Sequence, residues 1–302
     1  MSRLSRILLL CLLTLAQALP LRVVAAETPS ASSEPQPSPQ QQAFIDALKK
    51  LDWVKGPSSV DVPGKSKLQI PEGYVFLDQG NTDKYLELTH NLPSGTDVMV
   101  GPADLHWVAY LSFADEGYVK DDEKIDAPAL LKSLQEGAQQ SNEERRRRGW
   151  AELSIVGWAV QPAYNASNHR LEWATILESQ GERGVNFSTK VLARRGHTSV
   201  ILVCAPETLN ASRTQLETVL GGYSFDQGER YADWVPGDKV ATYGLAALVL
   251  GGAAAIATKK GLWAVIGAFI IAKIKLLIAG GAALFAGLRR FFTGKKKADD
   301  PR

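Results

Sequence analysis

The feature that most constrains this chain is an uncharged run near its C-terminal end, Val240 to Ala257, eighteen residues followed closely by Lys259 and Lys260. As a helix rising ~1.5 Å per residue it would cover about 27 Å, close to the hydrocarbon thickness of a bilayer. The run therefore predicts a transmembrane helix, with residues 233–257 as juxtamembrane segment and span. Tyr231, Trp234 and Tyr243 flank its start, where amphipathic rings favour headgroup level. Ala247, Gly251 and Ala255 recur at i, i+4 and i+8, a small-residue stripe that suits close helix contact and self-association. The expected anchor residues are Trp234, Tyr243, Ala247, Gly251 and Ala255.

A second apolar stretch, Leu262 to Leu288, is long enough to span but carries Lys273 and Lys275 near its middle, where charge is expensive. Residues 258–302 thus read as a second apolar helix and a basic tail. If the first helix runs from outside to inside, Lys259 and Lys260 land in the cytoplasm, whereas a second crossing would export Arg289, Arg290 and Lys295 to Lys297. The positive-inside rule favours an interfacial or re-entrant second helix; the alternative is a two-helix hairpin with both ends outside.

The other end of the chain agrees with export. Residues 1–26 have the layout of a secretory signal peptide: Arg3 and Arg6, an apolar core from Ile7 to Leu19, and small residues at Val24-Ala25-Ala26. Once it is removed, Cys204 is the single cysteine left, which excludes an intramolecular disulfide. Residues 27–42, rich in Pro, Ser and Gln, read as a disordered spacer. A formal net charge of +2 argues against a nucleic-acid partner.

Residues 43–232 read as a soluble domain. Phe44, Ala47, Leu48 and Leu51 have helical spacing. Leu68 to Phe76 and Leu105 to Phe113 alternate as strands do. Asp126 is a predicted N-cap for a helix carrying Leu130, Leu131, Leu134 and Ala138, with Gly149 beyond its end and Arg145 to Arg148 as a solvated terminus. Four further strands are expected at 153–160, 171–177, 185–193 and 199–204, the middle two forming a hairpin through Gly181 and Gly184. Pro206 opens a helix that ends at Gly221-Gly222, and Tyr223 to Asp226 returns as a short strand. The pattern predicts an α+β fold, mostly antiparallel sheet with packed helices, followed by the C-terminal transmembrane helix or hairpin.

Motifs with a known mechanism are missing: no phosphate-binding Gly-rich loop, no Gly-x-Ser-x-Gly elbow, no paired-Cys metal spacing and no His-Glu-x-x-His. No pair among His90, His106, His169 and His197 has local zinc spacing, and His106 reads as a hydrogen-bonded structural group. Cys204 ends an apolar run, so it reads as inert. The acids between Asp115 and Asp126 do not match a calcium loop and read as a solvated loop and helix start. No cofactor or metal is expected.

Several segments have a distinctive texture: Asp52 to Pro57, Ile70 to Tyr74, Gly117 to Asp122, Gly157 to Gly196, and above all Tyr231-Ala232-Asp233-Trp234 followed by Asp238 to Leu248. Together they resemble the DUF2167 family of bacterial membrane-anchored proteins, over about residues 50 to 290. The resemblance implies a bacterial inner-membrane location with the domain in the periplasm, and no assigned activity, cofactor or catalytic residue. Asn165 stands where Asp is expected after Tyr, and Ala193 where a Gly usually precedes the Arg, which weakens the idea of an acid catalyst there.

The candidate binding residues are Trp158, Tyr164, Trp173, Asn186 and Arg194, aromatics with a few polar groups as ligand clefts use them. The competing reading of the aromatics is core and hairpin packing. Two functions remain open: a non-enzymatic envelope domain that binds or scaffolds a partner protein or small ligand, and an envelope hydrolase or transferase built from dispersed His, Asp and Arg.

Overall fold

The computed structural model describes residues 38–251, apart from residues 90, 92 and 148. The elements run α1 (Pro39–Lys49), β1 (Val54–Lys55), β2 (Ser58–Val62), β3 (Ser66–Ile70), β4 (Tyr74–Leu77), α2 (Gln79–Leu88), β5 (Val98–Pro102) and β6 (Val108–Ala114). They continue as α3 (Ala127–Arg147), β7 (Ser154–Asn165), β8 (Arg170–Ser179), β9 (Glu182–Leu192), β10 (His197–Cys204), α4 (Leu209–Leu220), β11 (Tyr223–Phe225) and α5 (Leu245–Val249). Eight strands form an antiparallel sheet in the order β1-β4-β5-β6-β10-β9-β8-β7, and β11-β3-β2 form a second. The expected α+β class with a mostly antiparallel sheet is what the chain adopts.

Register decides which residues share a face, because paired residues point the same way and neighbours along a strand point oppositely. Ala174, Phe187, Leu202 and Ala109 lie on one face. They pack against Leu68 and Ile70 of the small sheet and Leu216, Val219 and Leu220 of α4 in one apolar core. The other face carries two separate cores. Leu171, Trp173, Leu177 and Leu192 meet Leu130, Leu134 and Ala138 of α3 and Leu245, Leu248 and Val249 of α5. Val75, Leu77, Met99 and Tyr110 meet Ile45 and Leu48 of α1 and Tyr85 and Leu86 of α2.

Several expectations need their boundaries corrected. Order begins before Ala43: Ser38 caps α1 by accepting from the Gln41 N–H, and the Gln41 side chain accepts from the Ser38 N–H at 2.8 Å. This reciprocal capping is compatible with a Pro- and Gln-rich start because Pro39 occupies the first turn, where its missing donor costs nothing. Helix α2 was not legible. Its N-cap is present, Asp78 accepting from the Asn81 N–H at 2.8 Å, but polar Asn81 and Thr82 are among its buried residues and blur the apolar stripe. The β8–β9 hairpin forms as expected, with Ser179 paired to Glu182 across Gln180 and Gly181, both at positive φ; Gly184 lies within β9 rather than in the turn. Asp126 caps α3 through the Ala129 N–H at 3.0 Å, and Gly149 takes φ +67°. Arg145 departs from the solvated reading: it is buried, donates from Nε to the Ala151 carbonyl at 2.6 Å, and lies over the Trp150 ring.

The apolar run at Val240 is the largest correction. No helix of the described residues is long and apolar enough to cross a membrane. Val240 instead bridges in parallel to Tyr118, and helix begins only at Leu245 and ends at Val249. Gly251 follows at φ +110°, a left-handed backbone, so Ala247 and Gly251 do not lie on one helical stripe. Leu245 and Leu248 are buried because they cover β8 and α3 rather than lipid. The domain thus runs past the expected boundary at 232 to at least residue 251. Ala255, the signal segment and the second apolar stretch lie outside the described residues.

Candidate functional site

Between the two apolar cores of the second face, the central strands present polar residues. Strand β9 alternates Val185, Phe187 and Thr189 on the first face with Asn186, Ser188 and Lys190 on the second; β10 does the same with Val200 and Leu202 against His197 and Ser199. In register, Lys190 pairs with Leu171 on one side and Ser199 on the other, and Ser199 pairs with Ser112 of β6. Asp97 precedes Val98, which pairs with Leu111, so it faces Ser112 at the end of this line. A polar row therefore crosses three neighbouring strands, β9, β10 and β6, and ends on Asp97 just before β5.

The Lys190 Nζ donates to Ser199 Oγ at 2.7 Å. Burial pushes the Lys190 amine down to about 8, against the opposing pull of Glu116 and Asp97. Burial raises the Asp97 carboxyl, while the Ser94 and Ser112 hydroxyls work the other way. Burial, aided by the nearby Lys190 charge, holds His197 well below the ordinary imidazole range, so it is neutral at pH 7. Asp97 Oδ2 and His197 Nδ1 are buried with no hydrogen-bond partner among the described residues, although Asp97 is only 2% exposed and His197 4%. An unpaired buried polar group costs about 1–3 kcal/mol. Two of them beside a lysine of weakened basicity form a set that offers a donor, an acceptor and a proton-accepting amine to one small region.

A second cluster adjoins the row at the β7–β8 end. Tyr164 donates its hydroxyl to Asp121 at 2.7 Å and sits 3.1 Å from His169 Nδ1. The Tyr231 ring lies 4.4 Å from both His169 and Tyr118, and Trp234 lies against Tyr118 at 5.2 Å. Tyr231 gives its hydroxyl to the Val119 carbonyl at 2.9 Å. Gly117 takes φ +102°, and a Cβ there would meet the Ala241 nitrogen at 2.9 Å, so only glycine lets the segments at 117 and 240 lie together. Three of the five segments of distinctive texture, at 117–122, 157–196 and 231–248, thus meet in one packed aromatic corner whose rings lie against each other.

Four of the five expected binding residues share the second face: Trp158 pairs with Thr175, Thr175 with Asn186, Trp173 with Ser188, and Tyr164 with Leu171. Trp173 is buried in the apolar core, and the Trp158 indole donates to the Ala127 carbonyl at 3.2 Å, which ties it to the start of α3. Both pack against neighbouring elements, while Asn186 lies on the same face four residues along β9 from Lys190. Arg194 lies apart, gripping Asp238 with two bonds of 2.6 and 2.9 Å. Of the expected anchor residues, Trp234 and Tyr243 bury their indole nitrogen and hydroxyl in the domain, without a hydrogen-bond partner among the described residues.

Sequence reasoning missed Lys190, Ser199 and Asp97 and set His197 aside. Period-two alternation on β9 and β10 is the ordinary pattern of an antiparallel strand with one solvated face, so it did not mark these residues; only the helical covers on the second face make their polarity unusual. Elsewhere the chemistry is closed. His106 is held at 2.5 Å by Asp104 and 3.0 Å by Gln215, which fits its structural reading. Burial pushes the Cys204 thiol up to about 11. A shallow groove of about 440 Å³ beside α4 is spanned by the Arg170–Glu217 and Arg213–Glu172 ion pairs at 2.8 and 2.7 Å, which neutralise one another. Among the described residues no group of three metal-ligating side chains converges.

Fold and site define a two-sheet α+β domain whose larger sheet carries a mainly apolar core on one face, with Thr189 and Thr198 buried in it, and a polar row on the other. The chain belongs to the DUF2167 family, proteins of unknown function, which matches it over residues 54–283. Comparison with curated proteins gives no match. Among solved structures, the solution structure of cyanobacterial PsbP (CyanoP) from Synechocystis sp. PCC 6803 is similar at 8% identity, covering 54% of this chain and 88% of its own, with a TM-score of 0.33. A likeness that slight carries no argument.

Proposed function

We propose that this is a ligand-binding domain held outside the bacterial inner membrane, and that its site is the polar row around Lys190. The observation that carries the reading is the pair of buried, unpartnered atoms, Asp97 Oδ2 and His197 Nδ1, beside an amine that burial has made less basic. A buried polar group without a partner calls for an explanation, and a bound ligand is one that also uses the neighbouring amine. A fitting ligand is small and offers an acceptor to Lys190 and a donor to Asp97. A partner protein is a weaker candidate, because the row lies between two helical covers rather than on a broad apolar patch.

Attachment to the membrane then falls to the sequence beyond Gly251. Leu262 to Leu288 is the remaining stretch of bilayer length. A single crossing there, outside to inside, leaves Arg289, Arg290 and Lys295 to Lys297 in the cytoplasm against Lys259 and Lys260 outside, with Lys273 and Lys275 facing protein or reaching towards headgroups. The family match reaches residue 283 and so includes most of this stretch. Self-association remains a proposal without the Ala247–Gly251 stripe to support it.

Native mass spectrometry of the full chain, purified from membranes in mild detergent, tests the binding reading. The expected result is a small-molecule adduct on the wild-type protein that Lys190→Met loses; a bare wild-type mass sinks the reading. A reporter fused after Arg302 is expected to be active in the cytoplasm, and a periplasmic signal would refute the single crossing.

A further inference from the structure

We infer that Ser199 and Lys190 form a nucleophile and general-base pair for acyl transfer, acting on a small amide or ester bound in the polar row. The inference rests on the ligand-binding reading for its site but assigns that site a reaction. Lys190 Nζ and Ser199 Oγ are 2.7 Å apart on adjacent strands, in direct register, so the sheet rather than a loop fixes their geometry. Lys190 and Ser199 are each half-buried as residues. A hydroxyl is a weak nucleophile until a neighbouring base takes its proton, and an amine can be that base only when neutral. Burial supplies the condition here by lowering the Lys190 amine to about 8. The groups that face it are Asp97 before β5, Glu116 after β6 and His197 on β10; the two acids oppose the lowering, and His197 stays neutral.

The chemistry balances without a cofactor. Ser199 Oγ attacks the carbonyl carbon, a C–O bond forms, and the hydroxyl proton passes to Lys190 Nζ. The tetrahedral centre collapses, the bond to the leaving amine or alkoxide breaks, and the leaving group takes the proton back from the Lys190 ammonium. Water then attacks the acyl-serine with Lys190 again accepting the proton, which releases a carboxylic acid and restores the serine hydroxyl.

An alkyl fluorophosphonate, which phosphonylates activated serine hydroxyls, is the probe. On the full chain in detergent, peptide mapping is expected to find the label on Ser199, none on Ser199→Ala, and a labelling rate that rises with pH through about 8 as Lys190 loses its proton. Lys190→Met is expected to slow labelling about 100-fold, the size of a lost general base. Lys190→Arg keeps the charge and cannot accept the proton, so it is expected to label as slowly; thermal melts check that each variant is folded. An unlabelled Ser199 in folded wild-type protein at pH 9, or labelling that both lysine variants leave unchanged, overturns the pair. A native adduct on protein whose Ser199 stays unlabelled would retire the reaction and keep the binding site, whereas a labelled Ser199 with no adduct would do the reverse.

Discussion

The two faces of the large sheet are built by the same strands and do opposite things. On one, Ala109, Ala174, Phe187 and Leu202 are all essentially inaccessible and belong to one apolar core. On the other, at the same strands, Ser112, Ser188, Lys190, His197 and Ser199 interrupt what would otherwise be one continuous apolar layer under the helices. A sheet selected for stability alone gains by filling that gap, since apolar burial returns roughly 25 cal/mol per Å² and unpaired polar groups return nothing. The first face holds the fold together. The second gives up some stability, which the proposed binding site would account for, as functional sites commonly do.

The contrast can be broken from its strong side first. Phe187→Ala removes a fully buried ring, over which the Arg213 guanidinium lies at 4.7 Å, and is expected to cost about 3–5 kcal/mol in denaturant unfolding. A cost under about 1 kcal/mol would mean that the first face is not the structural one. On the second face, Lys190→Met is expected to leave stability unchanged or raise it by up to about 2 kcal/mol, because the environment already disfavours the charge. A large loss of stability would make Lys190 structural and erase the distinction between the faces.

A smaller effect is expected from pH. His197 is neutral when folded and has an ordinary pKa of 6.5 when unfolded, so below that value the unfolded chain binds a proton that the folded one does not. Stability contributed by the neutral imidazole is therefore present above about pH 6.5 and lost as pH falls below it. Melting curves between pH 7.5 and 5 are expected to fall more steeply for wild type than for His197→Gln; parallel curves would place His197 in contact with water. The smallest effect is local. The Arg194 bonds hold Asp238 down to about 2, and Asp238 also accepts from the Val235 N–H at 3.0 Å. Arg194→Ala is expected to speed hydrogen exchange at residues 235–238 with little change in melting temperature, and unchanged exchange would show that the turn stands without it.

Most of the fold was legible because strong local signals survive in isolation. The β8–β9 hairpin followed from a glycine between two β-rich runs, and α3 from Asp126, the spacing of its leucines and Gly149. Helix α2 was hidden because its buried residues include Asn81 and Thr82, β1 because it has only two residues, β2 because Ser58, Ser59 and Asp61 leave it few apolar positions, and β5 because it is buried on both faces. Of the site, the sequence exposed Asn186 and the aromatics beside it. Lys190, Ser199 and Asp97 come from three separate strands or loops, and nothing local marks a lysine in a strand as one whose ammonium is buried.

By itself the sequence determined the fold class, the strand alternation, the helix caps and the membership of residues 54–283 in a family, because these depend on neighbours along the chain. Tertiary structure decided what the apolar residues after Val240 cover: Leu245 and Leu248 have the hydrophobicity of a membrane span, yet the domain supplies an apolar surface of its own for them. Hydrophobicity drives a side chain out of water without naming the partner that receives it, and only the packed structure names one. The polar row has the same origin, since register across β9, β10 and β6 places a lysine beside a serine that the chain alone leaves nine residues away.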